Sequence, residues 1–189
     1  MRYDYGCLRD VHLLERKPVN QVSFRPLLPQ SIAIPTDGKL HISGWIATPF
    51  ALSIDELNGS YPAHTQQVKY VEDATWISAS FTGVLLFDVL NSAQVIIDPN
   101  VTDDKLRLFI TALGSDGYQS LISWGEIDPD FGNQPILIAY SQSDKPIDDK
   151  FGNGQIGILR LVVPGDKRGG RYVKGLVALD IRHTPPSAC

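Results

Sequence analysis

Arg160, Lys167, Arg168, Arg171 and Lys174 gather five cations in one short stretch, with Gly169-Gly170 among them. Guanidinium and ammonium groups hold anions through charge-assisted hydrogen bonds. Successive backbone N–H groups at a glycine pair add a nest of donors. The chemistry on offer is capture of a phosphate or a similar small anion. The same residue types also make an ordinary solvated turn, because exposed cations are screened by salt. The sequence leaves both readings open. Arg160 lies inside an apolar run, so it is either a cation facing a pocket or a charge on a sheet edge.

Two strand-like runs must position these groups, Ile158 to Val163 before them and Tyr172 to Ile181 after them. Pro164-Gly165-Asp166 and Gly169-Gly170 lie between the runs. Proline cannot continue a ladder and glycine adopts positive φ without strain, so the spacing predicts a hairpin.

Other candidates are weaker. Gly152-Asn153-Gly154-Gln155-Ile156-Gly157 matches GxGxxG, but a polar loop precedes it and a strand follows it. A dinucleotide fingerprint needs the opposite context, strand before and helix after. His12, His41, His64 and His183 show no metal-ligand spacing, and His41 reads as a surface or half-buried strand residue. Asp103-Asp104 and Asp148-Asp149 read as solvated turns, because calcium loops want denser oxygen ligands. No GxSxG elbow is present.

The net charge of -4 over 189 residues argues against general nucleic-acid binding, which needs a broadly basic surface. A hydrophobic fraction of 43% is enough to fill the core of one domain. Cys7 and Cys189 are the only cysteines, too few for a zinc site or a disulfide framework. Whether they pair is not legible. No apolar run reaches the length of a membrane span. The first twenty residues lack the apolar core of a secretory signal.

Four prolines from Pro18 to Pro35 forbid long helices, so residues 1–37 are expected to form an extended arm with a short strand near Gln21 to Phe24. Leu40 to Ile46 alternates at period two and predicts a half-buried strand. Ser53 with Glu56 predicts a capping box opening a short helix. Gln66 to Val71 and Thr75 to Phe81 read as strands, with Gly83 breaking the pattern. Leu85 to Leu90 reads as a helix. Leu106 to Leu113 alternates, and Ser115-Asp116-Gly117 predicts a tight turn into Tyr118 to Trp124. Ile136 to Tyr140 reads as a strand buried on both faces. Together these predict an α+β fold: a β-rich domain over residues 38–182, with mixed or antiparallel sheets and a few short helices. Residues 183–189 are expected to form a tail.

In order and spacing, these segments resemble the molybdopterin-binding domain of the sulfite oxidase type, in a short stand-alone form. Leu40 to Ile46 with Leu52 to Leu57 resembles its opening strand and helix. Phe81-Thr82-Gly83-Val84-Leu85-Leu86-Phe87-Asp88-Val89-Leu90 resembles its "ytGvpLxdlL" helix, and Asp116-Gly117-Tyr118 to Glu126, then Ile136 to Tyr140, its following hairpin and strand. Leu159 to Pro164 with Gly169-Gly170-Arg171-Tyr172-Val173-Lys174 resembles its closing motif.

The resemblance implies a domain that cradles molybdopterin and its phosphate, with Arg171 and Lys174 facing the cofactor and Arg160, Gly169 and Gly170 beside them. It also implies a compartment outside the cytoplasm, such as the periplasm. In the family's enzymes one cysteine ligates molybdenum. Here its expected place near Val71 to Ala74 holds Glu72 and Asp73, and no cysteine occurs from Leu8 to Ala188. Trp76 follows that gap and is expected to line the pocket. A carboxylate is a hard donor and a poor substitute for a thiolate at a redox-active metal. The expectation is a molybdopterin-binding, oxidoreductase-like domain that holds the pterin or a small anion without ordinary sulfite-oxidase chemistry. The alternative is a non-enzymatic binding or interaction module that keeps the fold with no cofactor.

Overall fold

Leu40 and Ile42 are buried while His41 and Ser43 are half-buried, so the alternation of Leu40–Gly44 makes strand β1. The structure is a computed structural model, and it describes residues 33–152, 154 and 156–184. The strand expected near Gln21 to Phe24, both cysteines and most of the expected tail lie outside the described residues. The next elements are β2 (Phe50–Leu52), helix α1 (Ile54–Ser60), β3 (Ala63–Glu72), β4 (Thr75–Leu85) and helix α2 (Leu86–Ser92). A 3-10 turn at Asp104–Arg107 leads into β5 (Leu108–Gly114), β6 (Gln119–Ser123) and the one-turn helix α3 (Trp124–Ile127). Then come β7 (Leu137–Gln142), β8 (Lys145–Pro146), β9 (Asp149–Lys150), β10 (Ile156–Gly157), β11 (Arg160–Val162) and β12 (Leu176–His183).

These strands form two five-stranded sheets and one small ribbon. The first sheet has the order β2-β1-β12-β5-β6, with β1 parallel to β12 and every other pair antiparallel. The second has the order β11-β7-β4-β3, with β8 added beside β7, and is antiparallel throughout. Strands β9 and β10 pair with each other. One hydrophobic cluster joins both sheets: Ile42, Ile110 and Leu179 come from the first, and Phe81, Ile138 and Leu161 from the second. Each such buried side chain contributes about 1.5–3 kcal/mol of transfer free energy. The fold is therefore β-rich and mixed, with only short helices, as the patterning predicts.

Local signals act where they were read. Glu56 Oε2 accepts from the Ser53 amide at 2.7 Å, and Ser53 Oγ accepts from the Glu56 amide at 3.2 Å, completing the capping box of α1. Asp116 Oδ1 accepts from the Tyr118 amide at 2.9 Å and Gly117 takes φ +85°, closing the β5–β6 hairpin.

Three expectations need correction. Gly83 does not break its strand; β4 runs through it to Leu85. A Cβ there would lie 2.2 Å from the Ile138 carbonyl oxygen, so the missing side chain lets β7 approach. Strand β5 is buried on both faces instead of alternating, because it lies between β12 and β6 with α3 packed against it. The C-terminal runs do not form a simple hairpin. Residues 172–174 do meet β11, through a bridge between Arg160 and Lys174 and a bond from the Leu161 amide to the Val173 carbonyl at 2.9 Å. Gly175 at φ +57° then turns the chain, and β12 enters the other sheet.

Gly83→Ala is expected to cost about 2–3 kcal/mol, through overpacking between backbones. Gly59→Ala, where nothing lies within 4 Å of the added methyl, is expected to be neutral or slightly stabilising. Urea denaturation of the two variants checks this, and equal costs would refute the close-approach account.

Candidate functional site

The segment from Pro164 to Lys174 is laid along the β3–β4 hairpin. The Val71 amide donates to the Lys167 carbonyl at 2.9 Å, and Val71 bridges Arg168 in parallel. Gly169–Arg171 then forms a 3-10 turn. Gly169 lies flat on Tyr70, whose ring atoms would be 3.0 Å from a Cβ at that position. The Tyr118 hydroxyl donates to the Gly170 carbonyl. Tyr172 packs on Tyr70 with ring centroids 4.5 Å apart and meets Phe81 edge-on at 6.4 Å. Its hydroxyl is buried with no partner among the described residues. Burial, with Tyr70 and Asp166 nearby, pushes that hydroxyl up to about 12.

Three of the five cations that cluster in sequence are ion-paired, each with its own carboxylate partners. Arg160 is only 6% exposed. Its Nε donates to Asp149 Oδ2 at 3.1 Å, its Nη2 pairs with Asp149 Oδ1, and its Nη1 donates to Gln142 Oε1 at 3.2 Å. Its guanidinium also lies over the Phe81 ring at 5.4 Å. It lies on the outer strand of its sheet, but buried and paired with a carboxylate. Arg171 forms a fork with Asp166 at 2.8 and 2.7 Å and reaches Glu126 at 2.8 Å. Asp166, helped by Glu126, holds the guanidinium above its ordinary value against the opposing effect of burial. Lys174 Nζ meets Glu72 Oε1 at 2.6 Å. Lys167 and Arg168 are exposed and have no carboxylate partner among the described residues.

Trp76 pairs across the hairpin with Val71 but is 54% exposed, and Lys69 Nζ lies 5.1 Å over its ring. It stands on the sheet surface, stacked under a cation. The expected place of the metal-ligating cysteine is the tip of this hairpin. Asp73 and Ala74 turn the chain there at φ 46° and 63°, the positive values of a tight two-residue turn. Glu72 beside them is engaged by Lys174. No group of three or more histidine, cysteine, aspartate or glutamate residues suited to a metal occurs among the described residues. No thiol stands among the described residues at this hairpin tip, and both cysteines of the chain lie outside the described residues.

Several carboxylates matter that the sequence did not single out. Asp149 and Asp104 fall in the pairs read as solvated turns, yet Asp149 neutralises Arg160 and Asp104 is buried. Glu126 caps α3 through Ser123, with the Ser123 amide donating to its Oε2 at 2.9 Å. The Ser–x–x–Glu spacing that marked α1 recurs there and was the available signal. Asp128 accepts from Trp124 Nε1 at 2.8 Å and pairs with Lys105 at 2.9 Å. These groups edge a cleft of about 510 Å³ that also includes Phe87, Asn91 and Gln94. Burial pushes the Asp128 carboxyl up, but the Asp130 amide, Lys105 and the Trp124 indole outweigh it and hold the carboxyl below its ordinary value.

A two-sheet, β-rich domain with a basic closing segment packed on a long hairpin defines the class. The model of the oxidoreductase molybdopterin binding domain matches residues 28–188, and the chain belongs to that family. Among solved structures, the chain is similar to the sulfane dehydrogenase SoxCD from Paracoccus pantotrophus, at a TM-score of 0.57 and 18% identity. The match covers 80% of this chain and 40% of that one, so this chain spans well under half of that structure's length. The likeness supports the fold. No curated protein matches the chain.

Asp149→Ala is expected to cost about 3–5 kcal/mol, because it leaves a buried guanidinium uncompensated. Arg160→Met is expected to cost clearly less, since it removes the charge and keeps apolar volume. Chemical denaturation decides, and an equal or smaller cost for Asp149→Ala would show that the pair is not effectively buried.

The depressed carboxylates give stability a defined pH dependence. Glu126 is also held below its ordinary value: burial pushes it up, and Arg171 and the Ser123 amide more than compensate. The stability from such groups is fully present above their unfolded values, about pH 4, and is lost as pH falls through the lower folded values. Denaturation midpoints are therefore expected to fall below about pH 4, and Asp128→Asn to flatten that fall. An unchanged slope in the variant would remove Asp128 from the account.

Proposed function

We propose that this molybdopterin-binding, oxidoreductase-type domain holds the phosphate-bearing pterin, or a comparable small anion, through its closing basic segment and does not carry out thiolate-ligated molybdenum redox chemistry. One observation carries the reading. Lys167 and Arg168 stand exposed beside Gly169-Gly170, without a carboxylate partner among the described residues, while Arg160, Arg171 and Lys174 are each paired. Within this segment, an anion meets charge that no carboxylate among the described residues neutralises at Lys167 and Arg168. The β3–β4 hairpin fixes their backbone, so the two side chains project from an ordered base.

A second reading is favoured by the same ion pairs. Carboxylates on Arg160, Arg171 and Lys174 make the segment self-sufficient without any ligand. A domain built that way serves as a scaffold or interaction module.

Protein expressed in a host competent for molybdenum cofactor synthesis separates the two. Elemental analysis for molybdenum and fluorescence of the oxidised pterin are measured on the purified chain and on the double variant Lys167→Glu, Arg168→Glu. The expected result is pterin without stoichiometric molybdenum, lost in the double variant while its melting temperature stays unchanged. Stoichiometric molybdenum would overturn the exclusion of redox chemistry. Absence of both, with the host shown competent, would leave the scaffold reading.

A further inference from the structure

We propose that the cleft between Trp45, Ile96, Ile97 and the Arg107–His183 pair is a second binding site, for an uncharged planar ring compound that carries a hydrogen-bond acceptor. The cleft measures about 460 Å³, inside the range of roughly 300–1,000 Å³ typical of small-molecule sites. None of its lining residues belongs to the basic closing segment, so the inference stands on separate observations.

The walls are apolar and ordered. Trp45, Ile96 and Ile97 are 43%, 47% and 43% exposed. Two of them are tied through the backbone: the Trp45 amide donates to the Ile181 carbonyl at 2.8 Å, and the Ile96 amide donates to the Trp45 carbonyl at 3.2 Å. The Trp45 ring stacks on the His183 imidazole, with centroids 5.0 Å apart and planes at 22°. This pair makes an aromatic platform, and such a surface favours a flat ring laid in parallel offset.

The floor is polar and internally balanced. Asp104 is 2% exposed. Its Oδ2 accepts from the Asp98 amide at 2.8 Å, and its Oδ1 lies 2.7 Å from Arg107 Nη2 and 3.1 Å from His183 Nε2. Arg107 Nη2 is also 2.9 Å from His183 Nε2. That nitrogen either donates to Asp104 or accepts from Arg107, and cannot do both at once. Arg107 Nε is enclosed and out of a ligand's reach, but the side chain as a whole is 27% exposed and its Nη1 makes no hydrogen bond to a described residue. The guanidinium therefore has incomplete hydrogen bonding in a cleft where its charge is already matched.

The ligand class follows from this balance. A full anion gains little from Arg107, because Asp104 neutralises it and Asp98 lies close by. A cation gains nothing beside Arg107. A neutral acceptor, such as a carboxamide carbonyl, completes the arginine without adding charge. The stacked pair and the two isoleucines take the ring.

The test uses the full chain, isotope-labelled, with the Trp45 indole N–H and the Arg107 Nε–H followed by NMR. Benzamide, benzoate and benzamidine are titrated in turn as probes that share a ring and differ in charge. Benzamide is expected to shift both signals saturably and to bind severalfold more tightly than either charged probe. Trp45→Ala is expected to weaken benzamide binding by roughly fivefold to tenfold, the weight of one aromatic contact. Ile97→Ser on the opposite wall provides an independent variant, and melting temperatures confirm that both remain folded. No saturable shift with benzamide, or unchanged affinity in both variants, overturns the site. Tighter binding of benzoate or benzamidine overturns the uncharged class.

Discussion

A guanidinium buried between strands is the constraint on which this structure turns. Arg160 sits in β11, its backbone paired with Ala139 of β7 and bridged to Lys174 of the closing segment. Its side chain needs a carboxylate, because an unpaired charge in a low-dielectric interior is far more costly than any packing gain recovers. Asp149 supplies it from β9, Gln142 adds an acceptor from β7, and Phe81 of β4 offers its ring face. Four separate pieces of chain are thereby held in one register. A buried pair of this kind adds little net stability over an apolar substitute, and its effect is to reject arrangements in which the partners do not meet.

Around that pair the domain neutralises its own cations. Asp166 and Glu126 take Arg171, and Glu72 takes Lys174. The partners come from different elements, so the closing segment is tied to β3 and to α3 as well as to the aromatic stack of Tyr70, Tyr172 and Phe81. The consequence for ligand binding is selective. An anion approaching Arg171 must compete with a carboxylate fork already in place, whereas Lys167 and Arg168 present charge that no described carboxylate opposes.

The family match and the shared fold agree. Membership over residues 28–188 and a shared architecture at 18% identity show that the two-sheet frame tolerates extensive sequence change. In this chain the frame uses local devices: a glycine where β4 meets β7, capping boxes on short helices and a tight hairpin between β5 and β6. Ligand chemistry depends instead on particular side chains. Here the relevant hairpin tip is a two-residue turn flanked by a carboxylate engaged with a lysine, and function has to be argued from that site and not from the fold.

Local patterning by itself determined several of the elements. Alternation in Leu40–Gly44, the Ser53–Glu56 cap and the Asp116-Gly117 turn each act over a few residues, and each appears where it was read. The basic run around Lys167 was legible as composition, and so was the lack of a cysteine from Leu8 to Ala188. Tertiary structure decided which charges are free. Arg160 meets Asp149 across a loop and Lys174 meets Glu72 from a distant strand, and sequence spacing carries no trace of either partner. It also decided that the last two runs part at Gly175 into different sheets, since a single positive-φ glycine looks the same in sequence whether it closes a hairpin or redirects a strand. Short-range hydrogen bonding and periodicity are written locally; charge compensation over more than a hundred residues, as between Glu72 and Lys174, is written only in the folded chain.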